Sequence, residues 1–229
     1  HIFLVAKQHK QHIVLPEGDD WRVLVAAGEL LARDLCKITI LGSKMRVATL
    51  AKKYHVDLRK AEVVDPLESP DKEELVDTLV ELRGSKGMNA AMALDLVEQD
   101  PSYYGTLMLY LGKADGMVSG ACHTTADTMR PAMQIIKTAP NASLVSSVFF
   151  MLLPERVYVF GDCAINVDPS AEDLAEIALS SARTAQSFGI LPRVAMLSYA
   201  TGQSNSGPIV DKVRKATDLV QGWVKGEEV

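Results

Sequence analysis

Residues 13–64 read IVLPEGDDWRVLVAAGELLARDLCKITILGSKMRVATLAKKYHVDLRKAEVV, and this stretch decides the fold class. Ile13, Val14 and Leu15 form a short apolar run closed by Pro16-Glu17-Gly18. Asp19 or Asp20 can cap a helix running to about Leu35, with Val23, Ala26, Ala27, Leu30 and Leu31 at helical spacing. Residues 38–41 read as a second strand turned by Gly42, Ser43 caps a helix to about Tyr54, and residues 62–64 are a third strand. The order β-α-β-α-β is that of a parallel sheet covered by helices.

Downstream, residues 70–112 read as mostly helical, and residues 116–118 as a strand that ends in Ser119-Gly120. Residues 124–138 are helical, with Pro131 expected to break or kink the helix. Residues 144–153 are almost wholly apolar, the pattern of a strand buried on both faces. The tight Pro154-Glu155-Arg156 turn then predicts an antiparallel neighbour over 157–160. Ser170 and Asp173 fit a capping-box-like start for a helix over 171–188. Residues 193–199 read as a strand, 201–208 as a small-residue loop, and 209 to about 220 as a helix. The Pro140-Asn141 loop is the expected domain boundary, dividing the chain into 1–140 and 141–229.

Composition narrows the function. Of 229 residues, 48% are hydrophobic and 23% charged, which describes a core-forming protein and excludes a disordered one. Lys+Arg number 24 against 29 Asp+Glu, a net charge of −5, so no basic stripe is available for nucleic acid. A local basic pocket for a small anion remains compatible with that balance. Cys36, Cys122 and Cys163 are widely spaced and odd in number, which is neither a disulfide framework nor a zinc motif. A reducing, cytoplasmic setting is expected. The longest uncharged stretch, 138–154, carries two prolines, an Asn and three serines and does not read as a membrane span. HIFLVAKQHKQH at the start lacks the apolar stretch and cleavage site of a signal peptide.

Four segments can carry chemistry. In the first, GMVSGACHTTADTMRP (116–131), a strand ends in small residues and a helix begins at Thr124 or Thr125. A helix N-terminus suits an anion, Arg130 offers a bidentate grip, and Lys137 is seven positions on, close to the same helical face. Equally, Thr124 or Thr125 is a plain N-cap and Arg130 a surface residue. Adjacent residues of extended chain point to opposite sides, so Cys122 and His123 are not expected to pair. Cys122 reads as a packed residue and His123 as a polar contact at the site mouth.

The second segment, SYATGQSNSGP (198–208), offers hydroxyls and amides to a phosphate but is not a P-loop, and an ordinary solvated loop is the plainer reading. Arg22 lies in the first turn after PEGDD, and Arg83 and Lys86 sit at a helix end, where cations also offset the helix dipole. Asp162-Cys163 follows a strand without an evident partner. No metal site is expected, because the five histidines are scattered and none pairs with a carboxylate at ligand spacing.

The stretches 13–24, 79–88, 113–140, 143–166 and 193–217 are collinear, and together they resemble the phosphate acetyltransferase (phosphotransacetylase) family. The resemblance implies reversible acetyl transfer between coenzyme A and phosphate, with acetyl-CoA and acetyl phosphate as substrates and no further cofactor. It implies a two-domain, three-layer α/β/α fold like that of isocitrate and isopropylmalate dehydrogenases, an interdomain cleft, and a homodimer. The family's phosphate- and CoA-contacting arginines fall on Arg22, Arg83 and Arg130. Ser119, His123, Thr124, Thr125, Lys137, Tyr199 and Thr201 are further expected cleft contacts.

The family's mechanism is attack of the CoA thiolate on acetyl phosphate, with a carboxylate as base and a Ser-Arg pair stabilising the oxyanion. Arg83-Gly84-Ser85-Lys86 departs from the family's more basic stretch by one charge. The Ser-Arg pair and base aspartate belong to a C-terminal segment introduced by Asn-Asp-Leu-Ser-Arg-Gly, which does not occur in these residues. The resemblance therefore assigns no base here and implies no significant turnover from this chain. Alternatives are a phosphate butyryltransferase, or a non-catalytic acetyl-CoA-binding module of the kind fused to malic enzymes.

Overall fold

Strands β1 (His12–Leu15), β2 (Lys37–Leu41), β3 (Glu62–Val64) and β4 (Gly116–Met117) pair in parallel in the order β3-β2-β1-β4. They belong to a computed structural model that describes residues 2–140, 142–202 and 204–226. The chain divides into two units, His1–Lys137 and Thr138–Val229; Asn141, part of the expected boundary loop, lies outside the described residues.

Strand parity sorts the core of the first unit. Val14 and Leu41 face one side of the sheet, and Leu15, Ile38 and Ile40 the other. Helices α2 (Trp21–Ala32) and α3 (Lys44–Lys53) cover the second side with Leu24, Ala27, Leu31 and Val47. Helices α4 (Lys72–Arg83), α5 (Ala90–Gln99) and α6 (Pro101–Tyr110) cover the first with Leu75, Leu79, Val97, Tyr104 and Leu107. With helices on both faces, β1 and β2 need apolar residues at successive positions, which is how they read in the sequence.

Helix α6 is buried at every residue from Ser102 to Met108, so it has no solvent stripe. Gly105 lets it press against the sheet: a Cβ there would sit 2.6 Å from Met117 Sδ and 3.3 Å from Val14 Cγ1.

The chain leaves β1 toward β2 and β3 and returns on β1's other side as β4. Strand order therefore reverses between β1 and β4, and the carboxyl ends of those two strands form the crevice where open α/β sheets bind ligands. Helix α7 (Thr125–Ile135) starts just beyond β4 and continues past Pro131. The expected break is absent; the buried Pro131 costs one backbone donor, the N–H that Asp127 C=O would accept. Helix α1 (Ile2–Gln8) exposes Ile2, Phe3, Leu4 and Val5.

The second unit has an antiparallel hairpin, β5 (Val148–Leu152) and β6 (Val157–Gly161), closed by Leu153 N–H donating to Arg156 C=O at 2.9 Å. Helices α8 (Ala171–Ser187) and α9 (Pro208–Gly226) pack through Ala171, Ala175 and Ala216. The Ser170/Asp173 capping box is present.

Two expectations fail in this unit. Strand β5 is exposed at Phe149 and Met151, because a two-stranded sheet with α8 against it has only one covered face. Residues 193–199 form no strand among the described residues. A strand exists only through a paired neighbour; here Val194 and Met196 instead line a cleft with β6 and α8. Among the described residues no helix is long and apolar enough to cross a membrane.

Candidate functional site

The loop after β1 carries Glu17, and the loop after β4 carries residues 118–124. Gly18 fixes the first loop. Its N–H donates to Leu41 C=O at 3.1 Å, and a Cβ on it would stand 2.5 Å from that oxygen. The tight approach turns Glu17 inward, where its side chain is only 1% exposed.

There Glu17 collects the second loop. Oε2 accepts the Ala121 N–H at 2.8 Å, and Oε1 accepts the N–H groups of Cys122 at 2.9 Å and His123 at 3.0 Å. Nδ1 of His123 lies 2.8 Å from the same Oε1. Burial alone would raise the Glu17 pKa, but the Cys122 and Ala121 N–H groups and the His123 ring outweigh it and bring it down to about 2. An ionised carboxylate only accepts, so Nδ1 of His123 carries the proton in this contact.

Cys122 Sγ lies 3.4 Å from Glu17 Oε1 and 3.7 Å from His123 Nδ1. Cys122 and His123 therefore do meet, contrary to expectation, because the loop is bent around a shared acceptor and is not an extended strand. Burial and the neighbouring Glu17 push the Cys122 thiol up to about 11, so it stays protonated and unreactive near neutral pH.

The ligand atoms of Glu17, Cys122 and His123 fall within 4.8 Å of one another, a trio that sequence spacing concealed. The carboxylate oxygens of this trio are already engaged by three backbone N–H groups and the His123 ring.

Arg22 grips the same loop from the other side. Nη2 donates to Ala121 C=O at 2.6 Å, so the Ala121 peptide is held by Glu17 at its N–H and by Arg22 at its carbonyl. Asp20, the N-cap of α2, accepts Arg22 N–H at 2.8 Å, Nε at 3.0 Å and Nη2 at 2.6 Å. These bonds hold the Asp20 carboxyl down at about 2 and raise the Arg22 guanidinium. Part of the charge that sequence offered to an anion is thus neutralised within the protein, and Arg22 acts first as a strut.

Arg130 lies on α7 with one long contact to Asp127, 3.4 Å. Arg83 ends α4 and begins the 3₁₀ turn Gly84–Lys86; its Nε is buried without a partner among the described residues. Burial raises the Tyr103 hydroxyl above its ordinary value, and the charges of Arg130 and Arg83 offset part of that rise. Tyr103 O–H donates to Gln134 of α7 at 2.9 Å. Helices α4 and α7, which carry Arg83 and Arg130, pack on α6 and on one another, and Arg22 is tied to the loop that launches α7.

Thr124 is a plain N-cap. Its Oγ1 accepts Asp127 N–H at 3.2 Å, and its own O–H donates to Asp127 Oδ2 at 2.6 Å. Asp127 places a carboxylate at this helix start, which weakens its use as an anion cradle. Thr125 is the first residue of α7 and is exposed. Ser119 Oγ is buried without a partner among the described residues. Lys137 shares no helical face with Arg130, because α7 ends at Ile135 and Lys137 turns left-handed, φ 68°, with its N–H donating to Ala132 C=O.

Tyr199 and Thr201 belong to the second unit. Tyr199 O–H donates to Ser206 C=O at 3.4 Å, and Thr201 N–H to Ser204 Oγ at 3.0 Å. Arg214 of α9 donates to Gly202 C=O and Asn205 C=O. The small-residue loop is closed on itself and on its own helix; Gln203 lies outside the described residues.

Asp162, which sequence left without a partner, accepts Ser147 Oγ–H at 2.5 Å, Ser147 N–H at 2.8 Å and Asn166 N–H at 2.6 Å. Burial would raise its pKa, but the Ser147 and Asn166 bonds hold it well below the usual carboxylate range.

Sequence reading missed Glu17, Asp127 and Asp162 as organisers, and saw Asp20 only as a helix cap, since nothing in its patterns showed which donors each carboxylate would meet. The signal that existed was position: Glu17 lies just past the end of β1, after Pro16, and Asp162 directly follows β6.

Comparison with known proteins identifies the family. Residues 1–225 match the family model described as phosphate acetyl/butaryl transferase. The phosphate acetyltransferase of Synechocystis sp. is 52% identical over 214 residues, 93% of this chain and 31% of that protein. That of Corynebacterium glutamicum is 51% identical over 207 residues, 90% of this chain and 63% of its own length. That of Escherichia coli K12 is 53% identical over 218 residues, 95% and 30% respectively. The chain thus spans less than two thirds of each of these relatives.

A EutD phosphotransacetylase from Staphylococcus aureus superposes with a TM-score of 0.88 at 44% identity, covering 99% of this chain and 69% of that one. A phosphotransacetylase from Streptococcus pyogenes gives 0.88 at 42% identity, covering 97% and 69%. With sequence, fold and the family model in agreement along nearly its whole length, this chain belongs to the phosphate acetyl/butaryl transferase family.

Proposed function

We propose that this chain belongs to an enzyme that moves an acetyl group reversibly between coenzyme A and inorganic phosphate. The observation that carries the reading is that Arg22 holds the loop leading from the β1/β4 crevice into α7, the helix that carries Arg130 and packs on α4, which Arg83 ends. Guanidinium groups at such a crevice suit the phosphate and the phosphorylated end of coenzyme A. In this reading the thiolate of coenzyme A attacks the acetyl carbonyl of acetyl phosphate, the C–S bond forms, and the C–O bond to phosphate breaks. The arginines offset the charge on the departing phosphate. No residue of this chain is assigned the role of base.

The same reading places the fold with the three-layer dehydrogenase-like two-domain proteins and makes the working unit a cytoplasmic homodimer. Acetyl is preferred over butyryl because the named relatives are phosphate acetyltransferases.

The test is CoA-dependent release of phosphate from acetyl phosphate by the protein as encoded, with butyryl phosphate in parallel. Turnover of the acetyl compound that falls at least about a hundred-fold in Arg130→Gln supports the reading. No turnover from folded wild-type protein, or a preference for butyryl phosphate, overturns it.

A further inference from the structure

The Glu17–His123 contact lies outside the arginine set on which the proposed activity rests. Glu17 is 1% exposed and His123 31% exposed at the side chain, so the pair runs from the interior to the crevice. Glu17 fixes three consecutive N–H groups, Ala121 to His123, and the His123 ring from the same two oxygens. With Nδ1–H committed to a carboxylate, the neutral imidazole has its lone pair at Nε2. Among the described residues Nε2 has no hydrogen-bond partner, whereas Nδ1 is engaged at 2.8 Å. A buried carboxylate that sets the tautomer of a partly exposed histidine is the arrangement by which a ring nitrogen is aimed at a substrate proton.

We infer that Glu17 is a positioning residue that holds His123 in its Nδ1–H tautomer, so that Nε2 accepts a hydrogen bond from a proton donor on the substrate. Given the acetyl transfer proposed above, on which this inference rests, that donor is either the S–H of coenzyme A or a P–OH of phosphate. Both offer the same chemistry, a single polar hydrogen to an imidazole lone pair. Glu17 does not touch substrate; it acts through the ring and through the loop.

Two measurements test it. The first is the ¹⁵N spectrum of the His123 ring at a pH where it is neutral, in wild type and in Glu17→Gln. The expected result is a pyrrole-type Nδ1 and a pyridine-type Nε2 in wild type, with that preference lost in the variant. A wild-type ring in the Nε2–H tautomer overturns the inference. This readout needs no turnover, so it stands or falls separately from the acetyl-transfer assignment.

The second is steady-state kinetics of the protein as encoded, in both directions, for wild type, Glu17→Gln, His123→Gln and the double variant. The expected result is a fall in kcat of about ten-fold or more in each single variant and no further fall in the double. A rise in KM confined to phosphate identifies P–OH as the donor, and one confined to coenzyme A identifies S–H. If kcat of His123→Gln stays within about two-fold of wild type, the substrate contact is overturned and Glu17 is a structural clamp alone.

Discussion

Two carboxylates, one in each unit, follow a strand and then gather backbone N–H groups. Glu17 reaches donors 104 to 106 positions away, on a loop its own strand neighbour delivers. Asp162 bonds Ser147, 15 positions back on the paired strand's approach, and Asn166, four positions on. Both are held below the usual carboxylate range by the same cause, N–H and O–H donors that outweigh burial. The difference lies in what each holds. Glu17 joins two loops across the reversal of strand order, where a ligand crevice forms; Asp162 staples a hairpin to its own tail. The long-range carboxylate organises a site, and the short-range one organises a turn.

The largest effect is expected from Glu17→Ala, which strips the shared acceptor from three N–H groups and the His123 ring. A loss of about 4 kcal/mol is expected in urea denaturation followed by a probe in the first unit. The acid limb adds a sign. Glu17 titrates near 2 when folded and near about 4.3 when unfolded, so its stabilisation is complete above about 4.3 and is lost as pH falls toward about 2. Over that window the acid-induced loss should shrink by about 3 kcal/mol in Glu17→Gln. An unchanged acid limb would remove the clamp from the comparison.

Gly18→Ala comes next. Its Cβ would meet the Leu41 carbonyl oxygen at 2.5 Å and Ile40 Cγ2 at 2.6 Å, and backbone cannot step aside as a side chain tip does. About 3 kcal/mol is expected from thermal melting, with the amides of residues 121–123 exchanging faster as Glu17 is displaced. Melting at the wild-type temperature would mean that the turn has room to shift.

Asp162→Ala should cost less, about 2 kcal/mol, and only locally. Hydrogen exchange should rise at Ser147, Cys163, Ile165 and Asn166 and stay unchanged in β1. If β1 amides also accelerate, the distinction between a local and a long-range carboxylate fails. Smallest of all are the helix caps. Thr124 and Ser170 carry the same capping box with Asp three residues on, so Thr124→Ala and Ser170→Ala should each cost about 1 kcal/mol. A clearly larger loss at Thr124, read by calorimetry, would show that the cap also supports the Glu17 loop.

Much of the fold was legible because local rules carry it. The apolar runs at 13–15 and 38–41 are covered on both faces, and the Ser170 box forms as read. Where reading failed, pairing decided. Residues 193–199 have strand composition and find no strand partner among the described residues, and residues 148–152 have the composition of a buried strand but one open face. Helix α6 gave no amphipathic period because it is buried all round. The site was half legible. Arg22, Arg83 and Arg130 stood out as cations near strand and helix ends, but their partners did not.

The sequence by itself determined the parallel α/β class and the family, because periodicity, turn residues and long collinear motifs are local properties of the chain. Tertiary structure alone decided that strand order reverses between β1 and β4. It also decided that Glu17 lies under Ala121 to His123, and that Arg22 is a strut before it is an anion grip. Hydrogen bonds of this kind depend on distances of about 3 Å between atoms far apart in sequence. Only the packing of two loops against one sheet edge sets those distances.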